Sequence, residues 1–111
     1  MVGKIYLAKI YFTDLSEYKI RPVLVIKEID YDCICLQLTS KYTKERIKLT
    51  NDDLIEGNLK KDSLIVVPKN FTLHKSLLFK YIGTIKKEKF HEIFKLFCEK
   101  LDVFKIYKEW Y

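Results

Sequence analysis

Apolar and polar residues alternate along most of this chain with a period of two, and near residue 86 the period changes to three and four. Lys4 to Phe12 is rich in aromatic and β-branched residues and predicts a strand. Thr13 to Glu17 is a polar break, and Ile20 to Lys27 predicts the next strand. Pro22 stands near the start of that strand, where a missing ladder donor is tolerated, and it drives Arg21 into an extended conformation. Asp30, Tyr31 and Asp32 predict a turn. Cys33 to Thr39 then alternates, with Ile34, Leu36 and Leu38 on a face expected to meet the core. Cys33, Cys35, Gln37 and Thr39 fall on the other face. Glu45 to Leu49 predicts a short strand, followed by polar turns at Asn51–Asp53 and at Gly57–Asn58. Ser63 to Val67 predicts a strand closed by Pro68, Phe71 to His74 a short one, and Tyr81 to Ile85 the last.

From about Lys86, Phe90, Ile93, Phe94, Phe97, Cys98 and Leu101 recur at helical spacing, with lysines and glutamates between them. This predicts a helix over about 86–101 that lays its aromatic stripe on the sheet. Residues 102–111 form a tail, helical or extended. Many short strands followed by one helix predict a mainly β, α+β chain: a small, strongly curved antiparallel sheet or barrel over about 4–85, capped by the helix. With 111 residues there is room for one domain, 1–111, and one core.

Composition changes this picture in a few respects. The chain is 49% hydrophobic and 32% charged, which excludes a disordered chain. Lysine and arginine number 21 against 15 acids, for a net charge of +6, which suits a polyanionic partner such as RNA. Arginine occurs only at Arg21 and Arg46. Cys33, Cys35 and Cys98 are too few and wrongly spaced for a disulfide framework or a zinc knuckle, and Cys33 and Cys35 read as small buried hydrophobes. With His74 and His91 besides, no metal-ligand constellation is legible, and no metal or cofactor is expected. No signal peptide or transmembrane stretch is legible, so a cytoplasmic protein with no membrane partner is expected.

The run Tyr18-Lys19-Ile20-Arg21-Pro22-Val23-Leu24-Val25-Ile26 resembles the arginine-proline strand of the MazF/PemK/Kid toxin family. Four further segments match in the same order: Lys4–Ala8 with Phe12–Leu15, Leu38–Lys41, Leu59–Val66, and Phe71–Leu77 with Ile82–Ile85. The resemblance spans about Lys4 to Leu101. It implies an SH3-like barrel, a homodimer, and metal-independent, sequence-specific cleavage of single-stranded RNA by the toxin of a type II toxin–antitoxin pair. It also implies a cognate acidic antitoxin that blocks the RNA groove. Two departures stand out. Lys4 follows Gly3 where the family commonly has Gly-Asp, and many members have aspartate where His74 stands and some an arginine where Phe71 stands.

RNA carries its own nucleophile, the 2′-hydroxyl, so a protein can cleave it by aligning that group, moving protons and stabilising phosphoryl charge. On the resemblance, Arg21 and Thr39 are the catalytic candidates: a guanidinium to grip the phosphate, and a strand-end hydroxyl to donate to it. His74 and Ser40 are possible catalytic or RNA-binding residues. Lys19 and Lys41 are candidates for neighbouring phosphates, Tyr18 and Tyr42 for stacking on unpaired bases. His91 is expected on the polar side of the helix. Two alternatives remain open: a catalytically degenerate RNA-binding or antitoxin-binding module of the same fold, or a toxin that poisons DNA gyrase.

Overall fold

A computed structural model of the chain describes residues 1–11, 16–41 and 46–101. Its elements are β1 (Lys4–Tyr11), β2 (Tyr18–Ile29), β3 (Asp32–Thr39), β4 (Arg46–Leu49), β5 (Leu54–Gly57), β6 (Ser63–His74), β7 (Leu78–Ile85) and α1 (Lys87–Lys100). Short 3-10 turns occupy Asn51–Asp53 and Lys75–Leu77. The strands form one antiparallel sheet in the order β4-β6-β3-β2-β1-β7-β5. The sheet curls into a half-barrel with the helix packed on its concave core, as the two periods along the chain predict. The expected strand ends at Phe12 and Glu45, and the tail 102–111, lie outside the described residues.

The core on the helix side gathers Ile5, Leu24, Ile26, Leu36, Leu38, Ile47, Leu49, Ile65 and Val67 beneath Ile93 and Phe97 of α1. These residues come from alternate positions of each strand, which is what a pleated strand with one face on a core requires. The opposite face does not simply meet water. Val23 and Val25 of β2, Ala8 of β1, and Cys33 and Cys35 of β3 are fully buried there in a second, smaller cluster with Leu73. Met1, Tyr6, Phe71, Leu77 and Leu78 cover it. The unbroken run Val23–Ile26 is therefore apolar because both of its faces are covered. Cys33 and Cys35 are the small hydrophobes expected, with their Sγ atoms 3.5 Å apart, and burial pushes both thiols up. Lys75 N donates to Tyr31 O at 2.8 Å, and Lys75 Nζ meets Glu28 at 2.9 Å, so this covering turn is tied to the β2–β3 hairpin.

Three sequence expectations need correction. β6 does not end at Pro68 but runs on to His74, absorbing the separate strand expected at Phe71. The reason lies in the ladder: β3 pairs with β6 at Leu36↔Asn70 and again at Leu38↔Ile65, and β4 pairs only as far as Val66. Pro68 falls in the irregular stretch between, where a missing N–H breaks no ladder bond. Second, β5 lies between the two polar turns and was not anticipated. It is held to β7 through the pair Gly57↔Gly83. Gly57 has φ +88°, and a Cβ there would collide with the carbonyl of Ile82. Third, α1 buries Ile93 and Phe97 and partly Phe90 and Leu96, whereas Phe94, Cys98 and Leu101 of the expected stripe are exposed. His91 is exposed as expected.

Candidate functional site

Strand alternation decides where each candidate side chain points. On β2, Leu24 and Ile26 enter the helix-side core, so Val23, Val25, Arg21 and Lys19 fall on the other face. On β3, Leu36 and Leu38 enter that core, so Gln37 and Thr39 also fall on the other face. Val23 pairs with Gln37. Two residues beyond that pair, where the β2–β3 ladder ends, Arg21 and Thr39 fall on the same face of neighbouring strands.

The row continues to both sides. Arg21 pairs with Ala8 of β1. Thr39 pairs with Leu64 of β6, and Leu64 with Lys48 of β4. Lys48, Leu64 and Thr39 thus follow one another across β4, β6 and β3, and Arg21 and Ala8 across β2 and β1. Arg46 lies two residues from Lys48 on the same side of β4, because Ile47 and Leu49 fill the core. Both arginines of the chain, with Lys19 and Lys48, consequently share one face around Thr39.

Local contacts leave the central pair able to act. Arg21 is half-buried, and its Nη1 makes a long 3.4 Å contact with the carbonyl of Ile20. Thr39 Oγ1 accepts from Lys41 N at 3.1 Å. That bond fixes the hydroxyl oxygen at the strand end and leaves its proton to be donated outward. Lys41 is exposed beside it.

Other sequence candidates are not brought to this face. His74 pairs with Asp32, at the opposite end of β3 from Thr39. Seven residues of strand separate the two ends, or ~23 Å at ~3.3 Å per residue. There His74 Nδ1 accepts from Ser76 N at 3.2 Å and lies 2.7 Å from Ser76 Oγ, and its ring stacks on Tyr31. It caps the Lys75–Leu77 turn. Ser40 turns to the helix side of the sheet, where it lines a groove with Pro22. Tyr18 packs on Tyr11 with ring centroids 5.3 Å apart, and Lys9 Nζ sits 5.2 Å from its ring. By alternation it too belongs to the side away from Arg21. Tyr42 lies outside the described residues. Arg46 and Lys48 were not among the sequence candidates. Their signal was the alternation Arg46-Ile47-Lys48-Leu49, which puts two cations on one side of a strand.

Comparison with known proteins places this geometry. Solved structures that share the fold include the following three. An endoribonuclease from Mycobacterial species superposes with a TM-score of 0.68 at 17% identity, covering 91% of this chain and 89% of that one. The Mycobacterium tuberculosis toxin MazF-mt6 gives 0.68 at 17%, with 89% and 96% covered. An endoribonuclease in complex with its cognate antitoxin, also from Mycobacterial species, gives 0.67 at 18%, with 91% of each chain covered. None of the curated proteins compared matches in sequence. Residues 1–101 match the family described as PemK-like, MazF-like toxin of type II toxin-antitoxin system. A match over nearly the whole chain, on a curled sheet and helix of the same form, makes this chain a member of the PemK-like, MazF-like family of type II toxins.

Proposed function

We propose that the chain is an endoribonuclease that cleaves single-stranded RNA through its 2′-hydroxyl, with Arg21 and Thr39 as the catalytic pair. The observation that carries this reading is their emergence on one face of adjoining strands, a face that also carries Lys19, Arg46 and Lys48. In the reaction the 2′-oxygen bonds to phosphorus as the bond to the 5′-oxygen breaks. The 2′-hydroxyl gives up its proton and the 5′-oxygen gains one, leaving a 2′,3′-cyclic phosphate and a 5′-hydroxyl.

Arg21 grips two non-bridging oxygens with its planar fork and offsets the charge that builds there. Thr39 donates its hydroxyl proton to the same phosphate, oriented by the Lys41 amide. Lys19, Lys41, Arg46 and Lys48 hold flanking phosphates, which makes binding weaken steeply with salt. Such a toxin works in the cytoplasm as a homodimer and is restrained by an acidic antitoxin. The solved relative in complex with its cognate antitoxin supports a protein partner of this kind.

The test is incubation of the purified chain with a long unstructured RNA in EDTA, followed by end-group analysis. Discrete fragments ending in 2′,3′-cyclic phosphate are expected. Intact RNA that is nonetheless bound would replace the nuclease with an RNA-binding module.

A further inference from the structure

Cys33 and Cys35 stand two apart on β3, face the same way and are fully buried, with their Sγ atoms 3.5 Å apart. Cys33 Sγ donates to the carbonyl of Leu73 at 3.5 Å, which leaves the Cys35 proton for the Cys33 sulfur. Packing alone does not call for two sulfurs in contact, since small aliphatic side chains fill such a face as well. Neither thiol has a part in the RNA chemistry proposed for Arg21 and Thr39. Burial pushes both thiols up, so each stays protonated until something displaces its proton.

Two sulfurs at this distance are close to the bite of one metal ion. Thiolate–metal bonds of about 2.3 Å hold two sulfurs about 3.8 Å apart at a tetrahedral angle and about 4.6 Å apart in a line. The pair reaches the smaller of these by opening about 0.3 Å, a slight turn about each χ1. A disulfide fits less well, because strand residues i and i+2 have Cα atoms about 6.6 Å apart, near the upper limit of about 6.8 Å for that bond.

The surroundings select the ion. Among the described residues, no group of three His, Cys, Asp or Glu side chains gathers that could hold a metal, so the four-ligand shell of structural zinc is absent. Ala8, Val23, Val25 and Leu73 wall the pair and offer no oxygen-bearing side chain. Two thiolates in an apolar wall suit a soft ion that is satisfied by two ligands. Met1, which helps to cover the cluster, brings a thioether, the other soft donor. Met1, Tyr6, Phe71 and Leu77 are only half-buried, so one layer of side chains separates the pair from solvent. The Lys75 ammonium favours the charged form of Cys33 and so offsets negative charge at the site.

We propose that Cys33 and Cys35 form a binding site for a soft monovalent metal ion, cuprous copper, held between two thiolates beneath the Met1 and Tyr6 cover. On binding, two S–H bonds break and two Cu–S bonds form. Both protons leave to solvent and copper stays Cu(I), so no oxidant or reductant takes part. The dithiolate unit carries one negative charge. The site does not depend on RNA cleavage.

The test is anaerobic titration of the full chain with Cu(I) in competition with the chelator bathocuproine disulfonate. One ion per chain should be retained, with a thiolate-to-copper charge-transfer band in the near ultraviolet and two protons released per ion. Methyl resonances of Val23 and Val25 should shift as the ion enters. They are read on the wild-type chain, so they report the site even where a variant folds poorly. Cys33→Ala and Cys35→Ala should each weaken binding by about a hundredfold or more, and Cys98→Ala, at an exposed position, should leave it unchanged. Loading should raise the melting temperature of the wild type and not that of the joint Cys33→Ala, Cys35→Ala variant. Failure to hold copper against the chelator would overturn the proposal. So would retention by the joint variant, loss in Cys98→Ala, or equal retention of Zn(II).

Discussion

Replacing Arg21 with alanine separates catalysis from folding. The side chain is half-buried, and its described hydrogen bond is a long one to the neighbouring carbonyl. Losing it therefore costs the fold only the packing of its aliphatic stem, about 1 kcal/mol. Against a domain stability of about 5–15 kcal/mol, the variant remains folded at room temperature. The catalytic loss is much larger. Removing one preorganised donor from a developing oxyanion typically costs about 10²–10³-fold in rate, or about 3–4 kcal/mol. Arg21→Lys keeps the charge but loses the fork, so it should recover only part of that loss. The assay is single-turnover cleavage of end-labelled RNA at saturating protein, run beside a thermal melt of each variant. Cleavage by Arg21→Ala within about threefold of wild type, at an unchanged melting temperature, would refute the role assigned to the guanidinium.

Further consequences concern the scaffold. Gly57→Ala forces a Cβ against the Ile82 carbonyl at a positive φ, and should destabilise the chain by about 2 kcal/mol in urea melts and loosen β5 from β7. Ile93→Ala removes a fully buried helix residue and should cost about 2–5 kcal/mol by the same measurement. Glu28 is held below the ordinary glutamate value of 4.5 chiefly by its hydrogen bond from Lys75, and also by the N-terminal ammonium. Its folded value is the depressed one, so its contribution is present above 4.5 and is lost as pH falls through the folded value. Glu28→Gln should therefore melt lower than wild type at neutral pH, and the two curves should converge in acid.

Much of the architecture was legible because burial imposes a period. The alternation in Cys33–Thr39 and the three-and-four spacing in α1 each follow from one face meeting the core. The continuation of β6 through Pro68 was hidden because a proline stops a strand only where the ladder needs its N–H, and that depends on its neighbours. β5 escaped notice because its four residues owe their conformation to a close Gly57–Gly83 approach rather than to a pattern of their own. The candidate site divided in a similar way. Arg21 and Thr39 stood out through resemblance, while Arg46 and Lys48 join them only once β4 is registered on β6. His74 matched a family position in sequence, yet pairing with Asp32 puts it at the far end of the hairpin. Sequence order does not say which residues of other strands lie beside a given one until the register is known.

A double-mutant cycle on RNA cleavage tests most directly whether Arg21 and Thr39 serve one phosphate. Single-turnover rates would be measured for wild type, Arg21→Ala, Thr39→Val and the double variant. If both side chains act on one transition state, the double variant should cleave about as slowly as the slower single one, far faster than the product of the two losses. Losses that multiply, or a Thr39→Val enzyme of full activity, would contradict a shared site.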